Sequence, residues 1–181
     1  MSFAELVLAR RSVRRYLDRP VERDKLERCL EAARLAPSAS NAQNWRFIVV
    51  DEPELKSAVA RQTIAPLRAF NTFTDQAPAL VVVVTEKPAA LVRAAWRASG
   101  RDYGLIDIGI ASAQFCLQAV EEGLGTCMLG WFDEKKVKSL LGIPAAPRVD
   151  LIIAVGYPVD PGGEPKRRKP LQRIMAYNRY D

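Results

Sequence analysis

Two clusters of arginine and lysine stand near the two ends of this chain, at Arg10, Arg11, Ser12, Val13, Arg14 and Arg15, and at Lys166, Arg167, Arg168 and Lys169. A guanidinium presents its N–H groups as a planar fork that matches a phosphate, so two such clusters brought together can hold one phosphate between them. A third segment offers different chemistry. Residues 37–45 read Pro-Ser-Ala-Ser-Asn-Ala-Gln-Asn-Trp, a loop of small hydroxyl and amide side chains closed by an aromatic. It can present hydroxyl, amide and backbone groups to a ligand with many polar edges. The same residue types also build ordinary surface turns, which is the plainer reading of the loop. The chain has no histidine, which removes His-based triads, most zinc chemistry and the commonest general base. An enzyme made from this sequence relies on carboxylates, on cysteine, or on a cofactor that brings its own chemistry. Asp75 and Gln76 are polar, but no carboxylate pair stands at a catalytic spacing.

With 181 residues, 49% hydrophobic and 27% charged, the chain is long enough to bury a core and has the composition of a soluble globular domain. The apolar run 77–84 is too short to cross a bilayer, and the N-terminus shows no basic region followed by an apolar stretch. Cys29, Cys116 and Cys127 sit in apolar patterns without metal-type spacing, as expected of buried reduced thiols in a cytoplasmic protein. The net charge of +6 admits nucleic acid as a partner. Yet the basic residues do not pile onto one helix with interleaved aromatics, so a small phosphorylated ligand ranks above nucleic acid; a solvated basic tail at 166–169 is the blandest alternative.

The elements that must position these groups follow from periodicity. Helices are expected at 3–10, with Leu6 and Val7 inward, and at 21–36, where Leu26, Cys29, Leu30 and Ala33 recur at helical spacing. Strand 46–50 follows the polar loop, then helix 53–61. The valine run 80–84, bounded by prolines, predicts a strand buried on both faces. Helix 89–99 is broken by Gly100. Helix 103–122 is apolar around most of its girth, with Asp107, Gln114, Gln118 and Glu121 on one narrow polar stripe, so it needs burial on two sides. A subunit interface can supply the second side, as can a central position within one chain. Strand 126–131 comes next, then a helix capped by Asp133, with Val137, Leu140 and Leu141 inward, and finally strand 149–155. Gly123-Leu124-Gly125 ends a helix and opens a strand, the reverse of a dinucleotide-binding glycine loop, and Gly123 is read as a helix stop. Residues 1–157 form the expected domain and residues 158–181 an extension that leaves its body.

In this order and at these spacings, residues 10–16, 37–45 and 166–171 resemble the nitroreductase family of flavin-dependent oxidoreductases, as does the run Gly123-Leu-Gly-Thr-Cys-Met-Leu-Gly130-Trp131. The resemblance covers residues 2 to about 172. It implies an α+β fold, a three-layer α/β/α sandwich with a mixed central sheet. It also implies a cytoplasmic homodimer with FMN at the interface, the extension packing on the partner subunit, and no metal, nucleic acid or membrane. NAD(P)H would give a hydride to flavin N5 and depart, and a nitroaromatic, quinone or similar acceptor would take it in a ping-pong cycle. By the same resemblance Arg10, Ser12, Lys166 and Arg168 hold the FMN phosphate, with Arg11 nearby. Arg14 lies on the pyrimidine side of the ring, where it tunes the flavin, and Asn71 hydrogen-bonds that edge. Pro37, Ser38, Ser40 and Asn41 belong to the loop that reaches the flavin from the other subunit. Met128, Leu129 and Gly130 form the turn beside the ring, with the main-chain N–H of Leu129 or Gly130 at N5; no side chain is assigned as catalytic.

The chain departs from the family pattern at Asn44, where proline is common, and at Thr74, where many members carry a lysine. The segment from Glu86 to Tyr103 is shorter than in well-known bacterial members, which implies a more open pocket partly lined by Trp96 and Arg97. A flavin-binding or sequestering protein with little turnover is the alternative to an enzyme, because fold alone does not decide chemistry.

Overall fold

A valine run between prolines has no polar face to give to water, so it belongs in the middle of a sheet covered on both sides. That is its place in the computed structural model, which describes residues 1–65, 70–163 and 166–180. Every residue of the strand Ala79–Thr85 (β2) is buried. It lies between Trp45–Val50 (β1) and Arg148–Gly156 (β4), with Gly125–Leu129 (β3) beyond β4. These four strands pair antiparallel throughout. The expected mixed sheet is thus antiparallel in its four strands; outside them, Ser12 and Thr126 form an isolated parallel bridge on the free side of β3, where the Val13 N–H donates to the Thr126 carbonyl at 2.8 Å.

Alternation along β2 and β4 then builds two cores. Val81, Val83, Ile153 and Val155 face helices Arg23–Arg34 (α2) and Tyr103–Glu121 (α5), meeting Leu26, Cys29 and Phe115. Leu80, Val82, Val84 and Ile152 face the other way, onto Val59 of Pro53–Arg61 (α3) and Val137 of Glu134–Leu141 (α6). Each such aliphatic side chain contributes about 1.5–3 kcal/mol on burial. The result is the expected α/β/α sandwich.

Helix ends follow local chemistry. Ser2 and Glu5 form a capping box at the start of helix Phe3–Ala9 (α1). Asp133 accepts from the Lys136 N–H at 3.1 Å at the start of α6, and Gly123 stops α5 at φ +75°. Several expectations need correction. Val7 and Leu140 point outward, 43% and 38% exposed. Val21 and Ala36 are buried but lie outside α2, because periodicity tracks burial rather than helical hydrogen bonds. The third strand ends at Leu129 rather than Trp131, since the chain there leaves the sheet and the Asp133 N–H reaches the Gln62 carbonyl at 2.9 Å.

The polar stripe of α5 also divides. Asp107 is buried at 2% exposure, Gln114 and Gln118 are half-buried and Glu121 is exposed. The apolar residues Leu105 and Ile106 are instead 50% and 53% exposed. Within one chain, α5 is therefore covered on one side and open on the other.

Candidate functional site

After α1 the chain crosses the start of β3 and the end of β4, where Val13 packs on Gly125 and Tyr16 on Gly156. Val13 and Tyr16 are buried, whereas Ser12, Arg14 and Arg15 face solvent. Lys166 comes back from the far end of the sequence and donates from Nζ to the Val7 carbonyl at 2.5 Å, in the last turn of α1. Lys166 is thus fixed against the domain rather than waving in solvent. Burial, then the nearby charges of Arg10, Arg168 and Arg11, push the Lys166 ammonium below its ordinary range. The Arg11 guanidinium lies over Gly163, where any Cβ would collide with it. Arg168 holds its own main chain, donating from Nη1 to the Arg167 carbonyl at 2.8 Å. Four cations from the two ends of the chain thus converge. Among the described residues, Arg10, Lys166 and Arg168 form no ion pair with a carboxylate. A multiply charged anion is what relieves such mutual repulsion, and a phosphate monoester fits the donor set.

A second group gathers two residues further along. Ser12 bridges Thr126, and the Arg14 charge is felt at Cys127. The Arg14 guanidinium also stands 5.9 Å from the ring centroid of Phe73, two residues from Asn71. Asn71 has a left-handed backbone, φ 65°. Its Nδ2 donates to the Thr63 carbonyl at 3.1 Å, and its own carbonyl accepts from Thr74 Oγ1 at 2.6 Å. Thr74 is fully buried and also meets Thr63 Oγ1 at 3.1 Å. The residue at the lysine position is thus a core hydroxyl that clamps Asn71. Leu129 is buried, Met128 and Gly130 are exposed, and a Cβ on Gly130 would meet nothing within 4 Å in this chain.

The polar loop lies apart from both groups. Ser40, Asn41 and Gln43 all have positive φ, at 55°, 51° and 45°, a conformation that non-glycine residues adopt only when their surroundings hold them. Ser38 Oγ accepts from the Gln43 N–H at 3.0 Å, and Asn41 Oδ1 accepts from Gln43 Nε2 at 2.9 Å. Pro37 is exposed. Asn44, where proline is common, is buried; its carbonyl accepts from the Glu86 N–H at 2.8 Å. The tie to α5 is Asp107, whose Oδ1 accepts from the Ala39 N–H at 3.1 Å. Burial pushes the Asp107 carboxyl above its ordinary value, against that one hydrogen bond.

One chain therefore brings the residues together in part. The loop is tied near the start of α5. The cations lie toward its end, where Arg10 is felt at Cys116 and Arg11 borders a small cavity with Val120, Gly123 and Leu124. At 1.5 Å per helical residue, Asp107 and Cys116 are roughly 13 Å apart along the axis. A cavity of about 560 Å³ between Tyr16, Lys56, Asp75 and Pro78 shares none of these residues. Trp96 and Arg97 sit on helix Ala90–Ser99 (α4), which buries no residue. Trp96 packs on Tyr103 with centroids 5.5 Å apart, and Arg97 is exposed. Sequence reasoning missed Phe73, Thr63 and the role of Asp107. For the first two no sequence signal exists, and for Asp107 the only one is a charge within an otherwise apolar helix.

Comparison with known proteins identifies the family. A "NADH dehydrogenase" of Thermus thermophilus is 30% identical over 94% of this chain and 93% of its own length. A "putative NADH dehydrogenase/NAD(P)H nitroreductase" of Archaeoglobus fulgidus is 31% identical over 86% of this chain and 85% of its own. Among solved structures, an FMN-dependent nitroreductase from Clostridium difficile R20291 superposes with a TM-score of 0.80 at 28% identity, covering 98% of this chain and all of that one. The model of the nitroreductase family matches residues 7–157, and the chain belongs to that family.

Proposed function

We propose that this protein is an FMN-dependent NAD(P)H oxidoreductase that works as a homodimer. The observation that carries the reading is the convergence of Arg10, Arg11, Lys166 and Arg168. These would hold the FMN phosphate, with Ser12 adding a hydroxyl. Arg14 and Asn71 would meet the pyrimidine edge of the ring, and the main chain of Met128, Leu129 and Gly130 the reactive side. FMN, when bound, would supply the redox chemistry, hydride transfer between NAD(P)H and a nitroaromatic, quinone or similar acceptor in alternation. The chain's own contribution is to bind, orient and present fixed charge: guanidinium groups at the phosphate, and a cation where negative charge gathers on the ring.

The dimer accounts for what one chain leaves incomplete. Leu105 and Ile106 form an open apolar side of α5, and Leu171, Ile174, Met175, Tyr177 and Tyr180 of the extension are exposed as well. Apolar surface of this extent is best covered by a second copy. A second copy would also bring the loop of Pro37, Ser38, Ser40 and Asn41 to the cations from which α5 separates it. The extension 158–181 would pack on the partner. Three buried, unpaired cysteines suit a cytoplasmic setting.

Purified protein should be yellow and release FMN on denaturation, about one per chain. Under anaerobic conditions NADH or NADPH should bleach it, and menadione should restore the colour. Colourless protein that takes up no added FMN would sink the reading. Yellow protein bleached by neither nucleotide would make it a flavin-sequestering protein instead. Sedimentation at micromolar concentration should give a dimer, and a monomer that still binds FMN tightly would contradict the shared site.

A further inference from the structure

The loop 38–43 is an expensive conformation. Ser40 and Gln43, at φ 55° and 45°, have none of the local compensation that makes the left-handed region easier for asparagine. Its hydrogen bonds are almost all internal: the Asn41 N–H to the Ser38 carbonyl at 3.0 Å, the Ala42 N–H to the Ala39 carbonyl at 3.1 Å, and the Gln43 contacts to Ser38 and Asn41. Such a loop keeps its shape only if the body holds it from outside. Among the described residues two ties do so. One is at its exit, where Asn44 meets Glu86. The other lies near its start, where the Ala39 N–H meets Asp107 Oδ1 at 3.1 Å.

Asp107 is an odd choice for a core residue. Its side chain is buried with Oδ2 lacking any hydrogen-bond partner. A buried, half-satisfied carboxylate costs stability, and an apolar residue of the same shape would fit a core better. Its position is also particular: it is one residue after Leu105 and Ile106, the open apolar side of α5. Selection for stability alone does not keep such a group. A requirement on the loop does.

We propose that Asp107 is the positioning residue of the flavin loop, its buried carboxylate setting the strained course of residues 38–43 before flavin arrives. The inference rests on the functional reading above, in which this loop meets the flavin. Holding the loop in its bound form removes the cost of ordering it at the moment of binding, which is how preorganisation raises affinity. Because the anchor sits on the helix that a second subunit would cover, subunit packing and loop geometry are set by one element.

The test uses the full-length chain, measuring FMN affinity by fluorescence quenching and the melting temperature of flavin-stripped protein. Asp107→Leu removes the acceptor while keeping the shape. It should weaken FMN about tenfold or more, since the lost bond involves a charged group, while the flavin-free melting temperature holds or rises. Asp107→Asn keeps an acceptor for the Ala39 N–H and should restore most of the affinity. Ala39→Pro removes the same bond from the other side. Ser38, at φ −138° and ψ 151°, already has the extended backbone that a following proline requires. This variant should reproduce the FMN loss with Asp107 intact, and it decides the matter if Asp107→Leu does not fold. Wild-type affinity in Ala39→Pro, or in a folded Asp107→Leu, overturns the proposal. So does a failure of Asp107→Asn to recover affinity. If the unaltered protein itself binds no FMN, the functional reading falls instead, which is a separate result.

Discussion

Two arginine-rich regions of this molecule use the same side chain for opposite ends. Around α2 every arginine finds a carboxylate. Arg28 forks onto Glu122 through Nε and Nη2 at 2.8 Å each and reaches Asp24 at 2.9 Å. Arg34 meets Glu31, Arg23 meets Asp51, and Arg19 meets Glu22. At the end of α1 the cations face one another instead, and Lys166 registers the charges of Arg10, Arg168 and Arg11. Exposed ion pairs of the first kind contribute about 0–1 kcal/mol each and serve the scaffold. A cluster of the second kind opposes folding, and on the proposed reading it is kept for the phosphate it would bind. Net charge alone hides this difference; the neighbours reveal it.

The sharpest way to break the comparison is to remove one arginine from each region. Arg168→Ala should weaken FMN by about 1.5–3 kcal/mol, the worth of a charge-assisted contact to phosphate. Arg167→Ala, in the same basic run but not among the cations felt at Lys166, should change FMN affinity little, and Arg28→Ala should leave it unchanged. Equal losses from all three in a fluorescence titration would mean that the basic residues act only as a diffuse positive surface.

Arg14 sharpens it from the side of the ring. The lysine that many family members carry is replaced by Thr74, which is fully buried, so on the proposed reading the exposed Arg14 beside Phe73 would supply the cation at that edge. Negative charge on the flavin's pyrimidine side grows on reduction, and a cation there favours the reduced form. Arg14→Gln should lower the midpoint potential while oxidised FMN stays bound. A differential effect of about 1.4 kcal/mol corresponds to roughly 30 mV for a two-electron couple. Arg15→Gln, at the next position but without the contact to Phe73, should leave the potential alone. An unchanged potential with outright loss of FMN would make Arg14 an anchor rather than a tuner.

Much of this arrangement is legible in the amino-acid sequence. The sandwich follows from β2, since a valine run has only one place to go, and helices such as 53–61 are marked at both ends by proline and charge. The basic cluster is readable because arginine and lysine concentrate at residues 10–15 and 166–169, near the two ends of the chain. What periodicity cannot show is the direction of a polar side chain on a helix with more than one partner. Asp107 shares a stripe with Gln114 and Gln118, yet the loop crosses α5 only at its first turns and draws Asp107 alone inward. Nor can sequence show Thr74 and Thr63 closing around Asn71, because two threonines eleven residues apart carry no pattern.

That clamp makes a third test, smaller in effect. Thr74→Val keeps the shape but removes the hydroxyl that donates to the Asn71 carbonyl at 2.6 Å. The loss of one net hydrogen bond is worth about 1 kcal/mol, read as a lower denaturant midpoint with an unchanged slope. If Asn71 holds the ring edge, FMN affinity should fall with it. A stability loss without any change in FMN affinity would detach Asn71 from the flavin.

The smallest effect belongs to the scaffold side and depends on pH. Glu22 Oε2 accepts from the Tyr157 hydroxyl at 2.6 Å. That bond, then a backbone contact and Arg19, lowers the Glu22 carboxyl from 4.5 to about 2. A carboxyl depressed by folding stabilises the native state above its unfolded value and loses that contribution as pH falls toward the folded one. Tyr157→Phe removes the donor but keeps the ring under Arg19, whose guanidinium lies 3.9 Å from the ring centroid. The variant should therefore be less stable than the parent by a constant amount above about pH 4.5, and the gap should close as pH falls to about 2. Urea midpoints across that range measure it. Because Glu22 is exposed, the gap is small, and FMN affinity at neutral pH should stay at the parent value. A gap that persists at pH 2 would assign the loss to packing of the tyrosine rather than to the carboxylate, and a fall in FMN affinity would erase the division between a scaffold half and a binding half.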